Sequence, residues 1–558
     1  VLTLQGFAGA ALGPNPKLLA DTVGTNSINQ KPGRSDLRPW KQPLAVATIP
    51  AGRKTIYRMG RSVISDTLYW LSWDTRVHLV HGLISGDATE RTYYTGDGAP
   101  KQTNNTIALA SAPYPTTYRD LGVPVPTSPI TVVPITGGTS TEIQIRYYTY
   151  TYVTNQGEES APAPVSALTS MKSDQTATLN SFAPPAAGSH GVNRIRVYRT
   201  ESGQAGDTEF FFLREELSSI TTTTDDLRAL GEVMPTDGWF PPPATLSCLT
   251  SMWNGMIAGI NTVDGAVRYS IPYKPYAWPI AFETLPPDAR AVGLGRFGQR
   301  LLVLTTGDPV LVSGGAPEAL DEQPLPIGQS CVSEPSIVSF GHGVCWACPD
   351  GLAYFGEGGP KLLTTGIFTR DDWQAMVPGS MIGAIYEGAY FGSYTVGGVT
   401  KGFFIDPLNP TGLYFFDTGY AAAYVDDLND MLYVHEGASV KKWDAGASMT
   451  TTFRSKEFRQ PLTTFAAGRV IASAFPVTVM VDAINLEPAV VAARVAARPT
   501  KFSAPDATTL RHTRSVANRK PFRLPGDFVA RDWVLSVVTQ NPVVAFTIAT
   551  SMAELGEA

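Results

Sequence analysis

Arg296-Phe297-Gly298-Gln299-Arg300-Leu301-Leu302-Val303-Leu304 sets a tight turn in front of an apolar strand, and residues 245–446 repeat that arrangement. The other units are Met252-Trp253-Asn254-Gly255-Met256-Ile257-Ala258-Gly259-Ile260, Ser339-Phe340-Gly341-His342-Gly343-Val344-Cys345-Trp346-Ala347, Ile385-Tyr386-Glu387-Gly388-Ala389-Tyr390-Phe391-Gly392 and Asp427-Leu428-Asn429-Asp430-Met431-Leu432-Tyr433-Val434. A second turn and strand follow, as in Asp350-Gly351 before Leu352-Ala353-Tyr354-Phe355. Trp253, Phe297, Phe340 and Tyr386 stand 44, 43 and 46 residues apart, and Leu428 follows 42 later. Several short strands per period of this length predict a β-propeller. One small twisted sheet cannot cover both of its faces, whereas blades stacked around an axis bury one another.

Outward from the repeat, residues 45–127 carry further short strands rich in aromatic and β-branched residues: Thr55-Ile56-Tyr57-Arg58-Met59, Thr67-Leu68-Tyr69-Trp70-Leu71-Ser72-Trp73 and Val77-His78-Leu79-Val80. They supply another blade, for about six in all. Residues 1–44 read as an irregular, polar N-terminal arm with one short helix around 17–21. Residues 128–238 change character. Glu142-Ile143-Gln144-Ile145-Arg146-Tyr147-Tyr148-Thr149-Tyr150-Thr151-Tyr152-Val153-Thr154 alternates with period two, predicting a strand with one buried face. Asn155-Gln156-Gly157-Glu158-Glu159 makes the turn, and strands follow at 191–199 and 209–213. This spacing predicts an inserted immunoglobulin-like or fibronectin-like sandwich, with Pro124, Pro126 and Pro241-Pro242-Pro243 as stiff junctions. The propeller resumes over 239–446, and residues 447–558 form a C-terminal β-rich domain. The fold class is therefore all-β.

Hydrophobic residues make up 43% of the 558 and charged residues 16%, so the chain has the apolar content for a large core. A net charge of −6 without a basic block argues against tight phosphate binding. Arg494, Arg498, Arg511, Arg514, Arg519 and Lys520 cluster near the C-terminus and read as a solvated or subunit-facing surface. Four cysteines are too few for a disulfide framework. No targeting segment and no membrane span are expected.

No phosphate loop, dinucleotide fingerprint, His-Glu-x-x-His or nucleophile elbow occurs, and the six histidines (78, 81, 190, 342, 435, 512) are scattered. Cys345-Trp346-Ala347-Cys348 has metal or redox spacing but lies on a predicted strand with no second pair, so it reads as two core thiols. Trp73-Asp74 and Trp443-Asp444 echo a propeller dipeptide without its regular pattern. Asp371-Asp372 and Asp426-Asp427 are the carboxylate pairs a propeller glycosidase would need, and equally ordinary turn formers. No catalytic, cofactor-binding or metal residues are assigned, and no enzyme activity is expected.

Several stretches resemble the tail nozzle, or tail hub, family of short-tailed phages, the tail tubular protein B-like virion proteins. They are Lys31-Pro32-Gly33-Arg34-Ser35-Asp36-Leu37-Arg38-Pro39, Arg146-Tyr147-Tyr148-Thr149-Tyr150-Thr151-Tyr152-Val153-Thr154 with Gly157-Glu158-Glu159, Phe368-Thr369-Arg370-Asp371-Asp372-Trp373, Phe453-Arg454-Ser455-Lys456 and Pro521-Phe522-Arg523-Leu524-Pro525. Their order and combination carry the resemblance. It implies a homohexameric ring at the distal end of a virion tail, assembled in the host cytoplasm below adaptor or portal proteins. It also implies tail fibres or spikes as partners, and genomic DNA passing through the lumen without specific binding. The alternative is a propeller that binds or processes carbohydrate on the host surface.

Overall fold

In the computed structural model, which describes residues 1–60, 65–185, 188, 190–201, 209–525 and 529–556, each repeat folds as the hairpin joining the first two strands of an antiparallel blade. The turn residues explain why the repeat was visible. Asn254, Gly298, Glu387, Gly388 and Asp430 all take positive φ, which the tight reversal demands and which Gly, Asn and Asp tolerate best. The chain is all-β, a β-propeller with an inserted sandwich and a C-terminal β-rich domain. It divides into two compact units, Leu71–Pro326 and Val1–Trp70 with Ile327–Ala558.

The first unit holds three blades. They begin with strands His78–His81, Leu246–Ser251 and Ala291–Phe297, and each has four strands in sequence order. These first strands lie side by side. Met256, Ile260 and Val267 of one blade pack with Leu301, Val303 and Val312 of the next. Each such side chain contributes about 1.5–3 kcal/mol on burial, so neighbouring blades stabilise one another.

Between the first two of these blades runs the sandwich. Thr131–Pro134, Ala177–Asn180 and Thr222–Asp225 form one sheet, and Tyr148–Thr154, Val192–Thr200 and Phe210–Leu217 the other. Ile143–Arg146 and Thr169–Lys172 make an extra pair. Tyr148, Tyr150, Tyr152, Leu179, Ile195 and Val197 fill the core. The expectation of one buried face is corrected here, because all seven residues of Tyr148–Thr154 are buried. The tyrosines face the core. The threonines are covered by the returning chain, where Thr149 donates to the Ala163 carbonyl at 2.8 Å and Thr151 to Glu159 at 2.6 Å.

The second unit holds three further blades, beginning with Val338–Phe340, Ile382–Tyr386 and Ala422–Asp426. The last has only three strands of its own, and Leu44–Thr48 pairs with Ser439–Lys442 as its fourth. In the middle blade, Tyr414–Phe416 pairs parallel with Asn26–Ile28, which pairs in turn with Thr451–Arg454. One sheet thereby continues from that blade into the C-terminal domain through Ala530–Thr539, Val477–Ile484 and Thr509–Val516. A second C-terminal sheet takes Leu2–Gln5 as an edge strand beside Val543–Ala549.

The arm is therefore laced rather than irregular. Leu2, Leu4, Phe7 and Leu37 belong to the C-terminal core. The short helix expected around 17–21 is absent: these residues make turns, with Asn15 accepting from the backbone of Lys17. Two nearby prolines and too few residues for a stable nucleus account for that. No described helix is long and apolar enough to cross a membrane.

Candidate functional site

The residues singled out for chemistry fall into framework positions. Cys345 and Cys348 are free and fully buried. Burial pushes the Cys345 thiol well up and that of Cys348 to about 11, so neither is an activated thiolate at neutral pH. Asp372 belongs to a capping box: Thr369 accepts from its backbone at 3.1 Å, and the Asp372 carboxylate accepts from the Thr369 backbone at 3.1 Å. Asp426 is fully buried, 3.4 Å from the Arg58 guanidinium, and accepts from Asn429 at 2.9 Å. Asp372 and Asp426, one member of each acidic pair, are thus tied into the framework.

Trp443 packs in a blade core, and Asp444 accepts from Lys31 at 2.7 Å. Trp73 packs against Tyr94, with centroids 5.4 Å apart. The histidines sit beside ordinary framework groups, as with His81 and Gly82, His190 and Gly122, His342 and Tyr354, His435 and Arg53, and His512 and Lys501. Burial holds His435 and His512 below the usual imidazole value, so both are neutral structural groups. Of the C-terminal basic residues, Arg511 clamps Asp482 and Arg514 donates to the Arg523 carbonyl at 3.0 Å over the Phe522 ring. Arg519 and Lys520 stay exposed.

Two places of chemical interest were not legible as sites. One is a cleft of about 430 Å³ on the blade that begins with Ile382–Tyr386. Glu387, Asp406, Phe404, Tyr414 and Asn409 line it, together with Gly33 and Gly388. Its walls are braced. Lys31 donates to Glu387 at 2.8 Å, and Lys361 to the Pro407 carbonyl at 2.6 Å. Asp406 accepts from the Leu408 backbone at 2.8 Å. Burial, with Asp406 nearby, pushes the Tyr414 phenol up to about 12. A Cβ at Gly33 or Gly388 would meet nothing within 4 Å, so the cleft has open backbone at its rim. The lining sets the Glu387 and Asp406 carboxylates beside the Phe404 and Tyr414 rings. These residues come from three separate stretches of the chain, and no sequence spacing announces them.

The other is the joint between the sandwich and the blade starting at His78–His81. Glu158 and Glu159 were read as turn residues, yet each is only 4% exposed. Glu159 is fully engaged, accepting from Thr151 and Tyr198 at 2.6 Å and from Arg196 at 2.7 Å. Glu158 accepts from Gln102 of the blade at 3.2 Å, and its other oxygen is buried without a partner. Around it, Arg119 donates to Asn155 at 2.7 Å, and Ala161 to the Trp239 carbonyl at 3.0 Å. The missed signal is the Glu158-Glu159 pair itself, one serine before the apolar Ala161-Pro162-Ala163-Pro164 run.

No family model matches the chain, and no curated protein matches it. Among solved structures, virginiamycin B lyase from Staphylococcus aureus is 9% identical at a TM-score of 0.27, over 66% of this chain and 99% of that one. A streptogramin B lyase is 11% identical at 0.24, over 56% and 97%. The AfRom2 CNH domain is 9% identical at 0.24, over 51% and 88%. Likenesses this distant carry no argument about activity. The propeller rests on the blade topology above.

Proposed function

We propose that the chain is a structural virion protein, the distal nozzle of a short phage tail, six copies of which close a ring that retains and then releases DNA. The observation that carries this reading is the placement of Phe453-Arg454-Ser455-Lys456, one of the stretches of resemblance. Phe453 is fully buried edge-on to Phe7, with centroids 4.9 Å apart. Arg454 donates to Asp482 at 2.7 Å, Ser455 accepts from the Leu535 backbone at 3.0 Å, and Lys456 donates to Asp21 at 2.9 Å. All four tie the arm, a blade's sheet and the C-terminal domain together. The stretch 368–373 serves likewise: Trp373 is fully buried and donates to the Cys348 carbonyl at 2.9 Å. A motif whose residues all brace the framework suits a mechanical part, and symmetric closure suits a ring. Adaptor or portal proteins above it, and fibres or spikes beside it, belong to this proposal.

Negative-stain electron microscopy of the purified protein and of tail particles tests it. Six-fold rings with a DNA-wide lumen at the tail tip are expected. Isolated monomers, absent from tails, would discard the reading.

A second reading, carbohydrate binding, draws on the cleft of Glu387, Asp406, Phe404 and Tyr414. Titration with a panel of host polysaccharides and their monosaccharides tests it. Binding that Asp406→Asn and Glu387→Gln weaken at least tenfold favours it. No binding across the panel removes it.

A further inference from the structure

We propose that the Glu158 carboxyl is a proton-operated latch at the joint between the sandwich and its neighbouring blade: protonated, it holds the joint closed; ionised, it loosens it.

The geometry comes first. Glu158 follows the turn at 155–157, and its own backbone braces that turn. Its N–H donates to the Thr154 hydroxyl at 3.2 Å, and its carbonyl accepts from the Thr154 N–H at 2.9 Å. The backbone therefore fixes where the side chain points. It points into the blade, where Gln102, itself 3% exposed, gives the carboxyl its only hydrogen bond among the described residues, at 3.2 Å. The other carboxyl oxygen is buried and partnerless among the described residues.

The groups facing it complete the argument. From the blade these are Arg91, Arg119 and Tyr93; from the segment after the third strand of the next blade, Tyr276; from the sandwich, Glu159 with Arg196. Neither nearby guanidinium of the blade is spent on Glu158. Arg91 pairs with Asp87 at 3.1 Å, and Arg119 with Asn155 at 2.7 Å. Arg196 is shared between Glu159 at 2.7 Å and Glu215 at 3.0 Å. An ionised Glu158 would be a buried charge with one amide donor, and a second carboxylate one residue away. A neutral carboxylic acid in the same place leaves one weak polar atom unmet, which costs far less. Burial raises the carboxyl above its usual value in line with this.

The direction follows. Below the unfolded-state value of 4.5 the carboxyl is protonated in both states, and the joint carries no penalty. As pH rises past that value, only the opened joint ionises. The closed joint then loses ground until the folded-state value is passed. The latch is closed in acid and loosest in alkali. It acts on the sandwich, the part of the chain attached to the propeller through stiff prolines, and it does not depend on ring formation.

Hydrogen exchange by mass spectrometry on the full chain tests it, with rates corrected for the intrinsic pH dependence of exchange. In the parent, peptides covering 99–105 and 154–162 should open more as pH rises, by up to about tenfold per unit within the window between the two values. Peptides of the C-terminal domain should not follow. In Glu158→Gln, which keeps the shape and removes the titration, the joint peptides should lose this dependence. An unchanged pH profile in Glu158→Gln overturns the proposal. Should that variant not fold, Gln102→Met carries the test. Removing the one donor should deepen the alkaline opening, and a profile identical to the parent overturns the proposal.

Discussion

Asp482 in the C-terminal sheet and Glu158 in the sandwich joint are both carboxylates removed from water, and the chain treats them in opposite ways. Asp482 is fully buried between two guanidiniums: Arg511 grips it with two bonds of 2.7 Å and Arg454 with one. The Arg511 guanidinium is held above its usual value by the same contacts. Glu158 has one amide and, among the described residues, a partnerless oxygen. A buried charge is tolerable when several donors replace its water, and otherwise the group keeps its proton. The first solution locks a framework at any physiological pH. The second makes a joint that responds to it.

The largest expected effect breaks the first half of this comparison. Asp482→Asn leaves Arg454 and Arg511 without their counter-charge in the middle of the sheet Thr451–Arg454, Ala530–Thr539, Val477–Ile484. The loss should be about 3–5 kcal/mol, read by urea unfolding of the full chain. A loss under about 1 kcal/mol would mean that the triad is no better built than the joint.

Asp225 gives an intermediate case inside the sandwich. It is fully buried and accepts from Arg199 at 2.7 Å, Tyr148 at 2.8 Å and the Leu227 backbone at 3.0 Å. Arg146 also lies 3.5 Å away, so Tyr148→Phe removes one of four partners and keeps the core shape. About 1.5–3 kcal/mol should be lost, the usual contribution of a hydrogen bond to a charged group. Asp372, in its solvent-exposed cap, extends the series to the surface. Thr369→Ala should cost only about 1 kcal/mol, visible as a small shift in thermal midpoint.

The sequence carried the propeller because its turns repeat: Asn254, Gly298 and Asp430 are in place for backbone reasons that act locally. It carried the sandwich because Tyr148, Tyr150 and Tyr152 alternate along one strand. It did not carry the lacing of the arm, since Leu2–Gln5 meets Val543–Ala549 across more than 500 residues and nothing local marks the pairing. The cleft and the joint were hidden for the same reason. Glu387 and Asp406 sit in ordinary turns until the fold brings them together. Glu158 looks like a solvated turn residue until Gln102, some fifty positions earlier, closes over it. The acidic pairs that did stand out, Asp371-Asp372 and Asp426-Asp427, owe their prominence to capping and to Arg58.

The smallest effect sharpens the contrast by its sign. His435 donates from Nδ1 to the Arg53 carbonyl, 3.1 Å away, and its other ring nitrogen is buried without a hydrogen bond among the described residues. His512 repeats this against Lys501, at 2.8 Å. Both rings are held below the usual imidazole value of 6.5 by burial. A carbonyl partner fixes the bonded nitrogen as the donor, so the free nitrogen is the acceptor that would take a proton. Burial outweighs the nearby backbone carbonyls at both rings, so the charged form is the disfavoured one. Stability from these groups is thus present above 6.5 and is lost as pH falls toward their folded-state values, while the unfolded chain alone takes up protons. The unit containing the C-terminal domain should therefore weaken on the acid side, where the Glu158 joint is tightest. Thermal midpoints at pH 7.5 and 5.5 measure it: the fall between them should shrink in His435→Gln and again in the double variant with His512→Gln. Equal falls in parent and double variant would place the acid sensitivity in other groups than these two rings.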